Sequence, residues 1–153
     1  MRNVRDGGRI VRHDPATGEE KELYSAPGFI SKPALSPDGR EFAFFESGAL
    51  KVLPATGGEP RELAKVEDIA TIAWTRDGRY LLYGAASGDK TTELWRIAAE
   101  GGEPQKLDLA MRGLGHLRFH PDGRRITFRA SPQGEKSEVW AMENFLPELN
   151  DRQ

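Results

Sequence analysis

Apolar and polar positions alternate with a period of two along short stretches of this chain. Phe42-Ala43-Phe44-Phe45, Leu81-Leu82-Tyr83-Gly84 and Ile126-Thr127-Phe128-Arg129 are three of them, and such alternation with aromatic and branched residues predicts half-buried strands. An apolar run precedes each: Lys32-Pro33-Ala34-Leu35, Thr71-Ile72-Ala73-Trp74 and His116-Leu117-Arg118-Phe119, with apolar positions 33/72/117 and 35/74/119 in common. Another run follows each after a loop: Leu50-Lys51-Val52-Leu53, Leu94-Trp95-Arg96-Ile97 and Val139-Trp140-Ala141-Met142.

One turn joins the first two runs each time. Ser36-Pro37-Asp38-Gly39-Arg40, Thr75-Arg76-Asp77-Gly78-Arg79 and His120-Pro121-Asp122-Gly123-Arg124 recur 39 and 45 residues apart. Proline pre-sets φ, aspartate bonds onward to the backbone and glycine accepts positive φ, so the motif predicts a tight reversal between antiparallel strands. Arg76 stands where the other copies have proline, but the Asp-Gly pair remains. A second glycine turn leads into a fourth strand: Pro54 to Leu63 matches Ala98 to Leu107, and Asp14 to Leu23 is a copy one residue shorter. Proline and alternating charge suit an outermost edge strand there.

A four-strand unit at this interval predicts an all-β chain, a β-propeller of antiparallel blades. Residues 30–64 and 69–109 make whole blades, and 114–145 a terminal blade lacking its fourth strand. Residues 9–24 supply the outer two strands of a partial blade; 1–8 read as a disordered leader and 146–153 as a tail. Propellers close with roughly four to eight blades, so three to three and a half leave the ring incomplete. The expectation is the C-terminal part of a longer propeller, or a half-ring completed by a second copy. Its end faces are expected to be as apolar as the internal ones, which would make an isolated arc sticky.

Composition narrows the function classes. Lys+Arg 22 against Asp+Glu 24 gives a net charge of −2, and the basic residues are scattered singly apart from Arg124-Arg125, so no nucleic-acid partner is expected. The absence of cysteine excludes disulfides and thiolate metal sites. No stretch has the roughly 18 consecutive apolar residues of a membrane span. The N-terminus has no apolar region of a signal peptide, which by default keeps the chain cytoplasmic.

Ser-Pro-Asp-Gly-Arg followed by an apolar strand and then Gly57-Gly58-Glu59-Pro60 resembles the WD40-like (PD40) repeat of TolB-type β-propellers, over about residues 9–145. The tail Glu138-Val139-Trp140-Ala141-Met142-Glu143-Asn144-Phe145-Leu146-Pro147 resembles the end of the last blade in bacterial members. The resemblance implies a rigid disc that binds a protein or peptide at one face or at the axial channel, with no enzyme activity, no catalytic residue and no cofactor. It would also allow a periplasmic parent protein. Related propellers support or gate prolyl-oligopeptidase-like hydrolases, whose serine lies on a Gly-x-Ser-x-Gly turn; that pentapeptide does not occur here.

Candidate residues follow from register. Lys32, Thr71 and His116 align at the start of each innermost strand, and Arg118 replaces Ala34 and Ala73 two positions on. Equivalent positions point toward a common axis, so these four are expected to line one mouth of the channel as a partner-binding site. His116 and His120 are four apart on a strand, about 13 Å at about 3.3 Å per residue, too far to share a metal. Asp38, Asp77 and Asp122 are explained by the turn rather than by acid–base chemistry. Trp74, Trp95 and Trp140 are expected in the core between sheets. The loops 87–92 and 131–137 are a second place for a partner contact.

Overall fold

The computed structural model of the chain describes residues 7–88, 90–131 and 138–143. Loop residues 132–137 and the tail therefore lie outside the described residues, as do residues 1–6. The rest forms thirteen strands in four antiparallel sheets. The first sheet pairs β1 (Arg9–His13) with β2 (Glu20–Ser25). The second runs β3 (Ile30–Leu35), β4 (Glu41–Glu46), β5 (Ala49–Pro54), β6 (Arg61–Lys65), and the third β7 (Ile69–Trp74), β8 (Tyr80–Ser87), β9 (Thr91–Ala98), β10 (Gln105–Arg112). The fourth contains β11 (Gly115–Phe119), β12 (Arg125–Ala130) and β13 (Glu138–Glu143). Strands neighbour one another in chain order within every sheet. β7 touches β3 on one side and β11 on the other, so the first strands of successive sheets stand together on the inside of an arc.

Alternation assigns the side chains to the layers between sheets. Phe44 and Leu53 of the second sheet pack with Ile10 and Leu23 of the first. The opposite faces of β4 and β5, through Ala43, Leu50 and Val52, meet Ile72, Trp74, Leu81, Tyr83 and Ile97 of the third sheet. Its other face, with Ala73, Leu82 and Leu94, meets Leu117, Ile126 and Phe128. Each whole blade is thus apolar on both sides, which is why no sheet here is a satisfactory unit alone.

Arg96 breaks this pattern. It occupies the register of Val52, is buried, and donates one guanidinium N–H to Gln105 Oε1 while stacking 4.9 Å from the Tyr80 ring. Its Nε has no hydrogen-bond partner. No other described side-chain polar atom is both buried and unpartnered.

Three sequence expectations are corrected. The forward face of the fourth sheet is not as apolar as an internal one: Thr127 and Arg129 stand where β8 has Leu82 and Gly84, and Arg118 where β7 has Ala73. Charge on a sheet face is itself a guard against edge or face association, so among the described large apolar residues only Val139, 83% exposed, fits the sticky reading on that side. Trp95 packs against the core as expected, whereas Trp140 is 40% exposed. β9 has β10 beyond it to shield Trp95, and β13 is the outermost described strand of its sheet. Gly8, read as part of a leader, donates its N–H to Gly28 O at 2.7 Å and accepts from Ala26 N at 2.9 Å.

The three Asp-Gly turns are built alike. Gly39, Gly78 and Gly123 have φ of 72°, 70° and 71°, a region that favours glycine. Asp38, Asp77 and Asp122 accept the N–H of Arg40, Arg79 and Arg124 at 3.0, 3.0 and 2.9 Å. Ser36 Oγ and Thr75 Oγ1 donate to the first two carboxylates at 2.6 Å, and His120 Nδ1 lies 3.0 Å from the third. Successive turns also stack, with Pro37 facing Gly78 and Arg76 facing Gly123, so Arg76 keeps the packing position that proline holds in the first turn.

Candidate functional site

At the end of the inner strands away from these turns, each strand carries one extra residue. The ladder of β3 shifts between Ser31 and Ala34, that of β7 between Ile69 and Thr71, and that of β11 between Gly115 and Arg118. A bulge of this kind re-aims a side chain and frees backbone groups from the ladder. Lys32 and His116 lie in two of the bulges with φ of 58° and 53°. Left-handed backbone costs a non-glycine residue roughly 1–2 kcal/mol, so both positions are strained.

The bulged ends surround a cavity of about 410 Å³, within the usual range for ligand sites. Lys32, Thr71, His116 and Arg118, the four candidate residues, all line it. Lys90, Thr92 and Arg129 line it too. Register alone could have found Arg129, because it replaces Phe45 and Gly84 at one position of the second strand. Lys90 lies in the turn between β8 and β9, and the loop expected over 87–92 is shorter than that, because Ser87 pairs with Thr91 and Ala86 with Thr92 in the ladder.

The four are not equivalent. Lys32, His116 and Arg118 are exposed, and Arg118 donates to its neighbour's carbonyl, Leu117 O, at 2.9 Å. Thr71 is buried, and its hydroxyl accepts the N–H of Leu117 at 3.1 Å. The bulge of β11 leaves that N–H without a ladder partner, and the neighbouring blade supplies one. Thr71→Val keeps the side-chain shape and strands a buried N–H, and should cost about 1–3 kcal/mol in urea unfolding; an unchanged midpoint would show that this bond does not hold the two blades together.

Turn carboxylates at the other face are poorly suited to proton transfer. The hydroxyl of Ser36 and the Arg40 N–H hold Asp38 below its usual range, and the N–H of Arg124 does the same for Asp122. Both are ionised at neutral pH and committed to backbone donors. Among the described residues no cluster of three His, Asp or Glu side chains could hold a metal.

No family model matches the sequence. It is 28% identical over 111 residues to the uncharacterized protein Atu1656 of Agrobacterium fabrum, covering 69% of this chain and 37% of that one. It is 26% identical over 133 residues to the uncharacterized peptidase YuxL of Bacillus subtilis, covering 82% of this chain and 19% of that protein. The chain thus spans well under half the length of either relative. Among solved structures, TolB from Acinetobacter baumannii superposes on 90% of this chain and 38% of its own, with a TM-score of 0.72 at 18% identity. With inner strands side by side and antiparallel sheets fanned out from them, the chain has the fold of a TolB-type β-propeller, incomplete as described.

Proposed function

We propose that this chain is a non-catalytic interaction scaffold that binds a protein or peptide at the channel mouth. One observation carries the reading: polar side chains from three different sheets, those of Lys32, His116, Arg118 and Arg129 exposed, converge on a single cavity at the bulged ends of the inner strands. Strands packed on both sides are rigid supports, and sites built on such elements hold their geometry better than sites on loops. A second reading, a propeller segment that gates or supports a hydrolase or signalling domain, is favoured by the likeness to a protein called a peptidase.

A phage-displayed peptide library panned on the purified chain, with a Lys32→Ala/Arg118→Ala variant in parallel, tests the scaffold reading. Both residues are exposed, so the variant should keep its stability within about 0.5 kcal/mol. Peptides enriched on the parent chain should fail to bind the variant. Equal enrichment on both would move binding away from the mouth and overturn the proposal.

A further inference from the structure

We infer that the mouth is a receptor for carboxylates, and that its partner is an acidic peptide segment. This rests on the proposed peptide-binding role and adds the chemistry of the ligand. Five lining side chains, Lys32, Lys90, His116, Arg118 and Arg129, are cationic or can become so, and no carboxylate lines the cavity among the described residues. That is a local excess of one sign in a chain whose net charge is −2. Elsewhere several basic side chains are neutralised, as in Arg9–Glu22, Lys51–Glu46, Arg61–Glu41, Lys106–Glu93 and Arg125–Asp122, and those that are not, such as Arg12 and Lys65, do not line this cavity. None of the five at the mouth has such a partner among the described residues.

The backbone gives a second, independent indication. Of the four described non-glycine residues with positive φ, three are Lys32, Lys90 and His116, and all three line this one cavity. Strained conformations persist only where the surrounding structure enforces them, and they gather at ligand sites. Here the strain coincides with unneutralised charge. Three strained basic residues from three separate loops and bulges are thus held around the same space.

An acidic peptide fits better than a nucleic acid. The cations are gathered at a pocket rather than spread in the stripe that follows a phosphate backbone, and the overall negative charge would repel a long polyanion. A pocket with isolated cationic donors instead suits one or two carboxylates, with arginine able to engage each through two N–H groups.

Calorimetric titration of the full chain with a glutamate-rich decapeptide, its glutamine counterpart and a ten-nucleotide oligo-dT separates the possibilities. The glutamate peptide should bind at least about tenfold more tightly than either of the others, and should weaken as salt is raised because exposed charges are screened. An Arg118→Ala/Arg129→Ala variant should lose at least about tenfold in affinity for the glutamate peptide alone. If glutamate and glutamine peptides bind alike, and both lose affinity with the Lys32→Ala/Arg118→Ala variant, the mouth is a peptide site but the acidic preference is wrong. Tighter binding of oligo-dT would overturn the choice of partner, and no binding of either peptide, joined to a failed library selection, would overturn both readings.

Discussion

Replacing Trp74 by alanine should lower the unfolding free energy by about 3–5 kcal/mol, the cost of emptying a large aromatic site in a core that cannot fully collapse. The ring is 6% exposed and lies in the layer between the second and third sheets, against Leu50, Val52 and Ile72. Its Nε1–H also donates to Ala34 O at 2.9 Å. Ala34 sits next to the β3 bulge, so this bond joins the inner strand of one blade to that of the next, as Thr71 does one blade further on. Trp74→Phe retains most of the packing and removes only the bond, and should cost about 1–2 kcal/mol. Urea midpoints followed by circular dichroism would measure both. A loss under about 1 kcal/mol for the alanine variant would mean that the two sheets do not depend on this contact.

The same residue shows what the sequence could and could not reveal. Alternation put Trp74 on an apolar strand face, and the repeated Asp-Gly turn fixed where the strand ended, because both signals are local. The register that aligned Lys32, Thr71 and His116 was equally readable, and the structure sets all three around one cavity. What was not legible was the bulge. An extra residue leaves no mark in a pattern of period two until the partner strand is known, and the bulge decides that Thr71 turns inward to Leu117 while Lys32 and His116 stay exposed with positive φ. Arg96 was hidden for a similar reason: a lone arginine on a strand reads as a solvent position, and only the pairing of its sheet sets Tyr80 and Gln105 beside it.

Trp140 illustrates the opposite limit. It shares its register with Trp95, so position along the strand predicts equal burial, yet burial also depends on what lies laterally beyond the strand. Arg118, Thr127 and Arg129 make the same point for the forward face of the fourth sheet. Their polarity is plain in the sequence, and weighing it strand by strand rather than by repeat average would have shown that this face differs from the internal ones.

The second large effect is expected at Lys51. Its ammonium lies 2.8 Å from Glu46 Oε2, and Tyr24 Oη donates to the same oxygen at 2.9 Å. The Glu46 side chain is 5% exposed and that of Lys51 20%, so Lys51→Met would leave a buried carboxylate without its cation. A loss of about 2–4 kcal/mol is expected. Register offers the rescue: positions 46 and 51 correspond to Ala85 and Trp95 in the third sheet and to Ala130 and Trp140 in the fourth. A Glu46→Ala/Lys51→Trp double variant, which installs the neighbours' apolar pair, should therefore come within about 1 kcal/mol of the parent, since a well-packed apolar substitute for a buried ion pair is often neutral.

The ion pair also sets a pH limit with a definite sign. The hydrogen bond to Glu46 raises the Lys51 ammonium above its ordinary value, and burial, reinforced by the bond to Glu46, raises the Tyr24 phenol. Burial alone pushes Tyr83 up to about 12. All three groups are raised in the folded state, so the stability they contribute is complete below their unfolded values, near about pH 10, and is lost as pH climbs through the folded ones. Unfolding free energy should be level through neutral pH and fall above about pH 10. The double variant should fall less steeply, because only the Tyr83 contribution and what remains of Tyr24's are left to lose. A parent and a double variant with superimposable alkaline limbs would show that Lys51 and Glu46 are not coupled in solution.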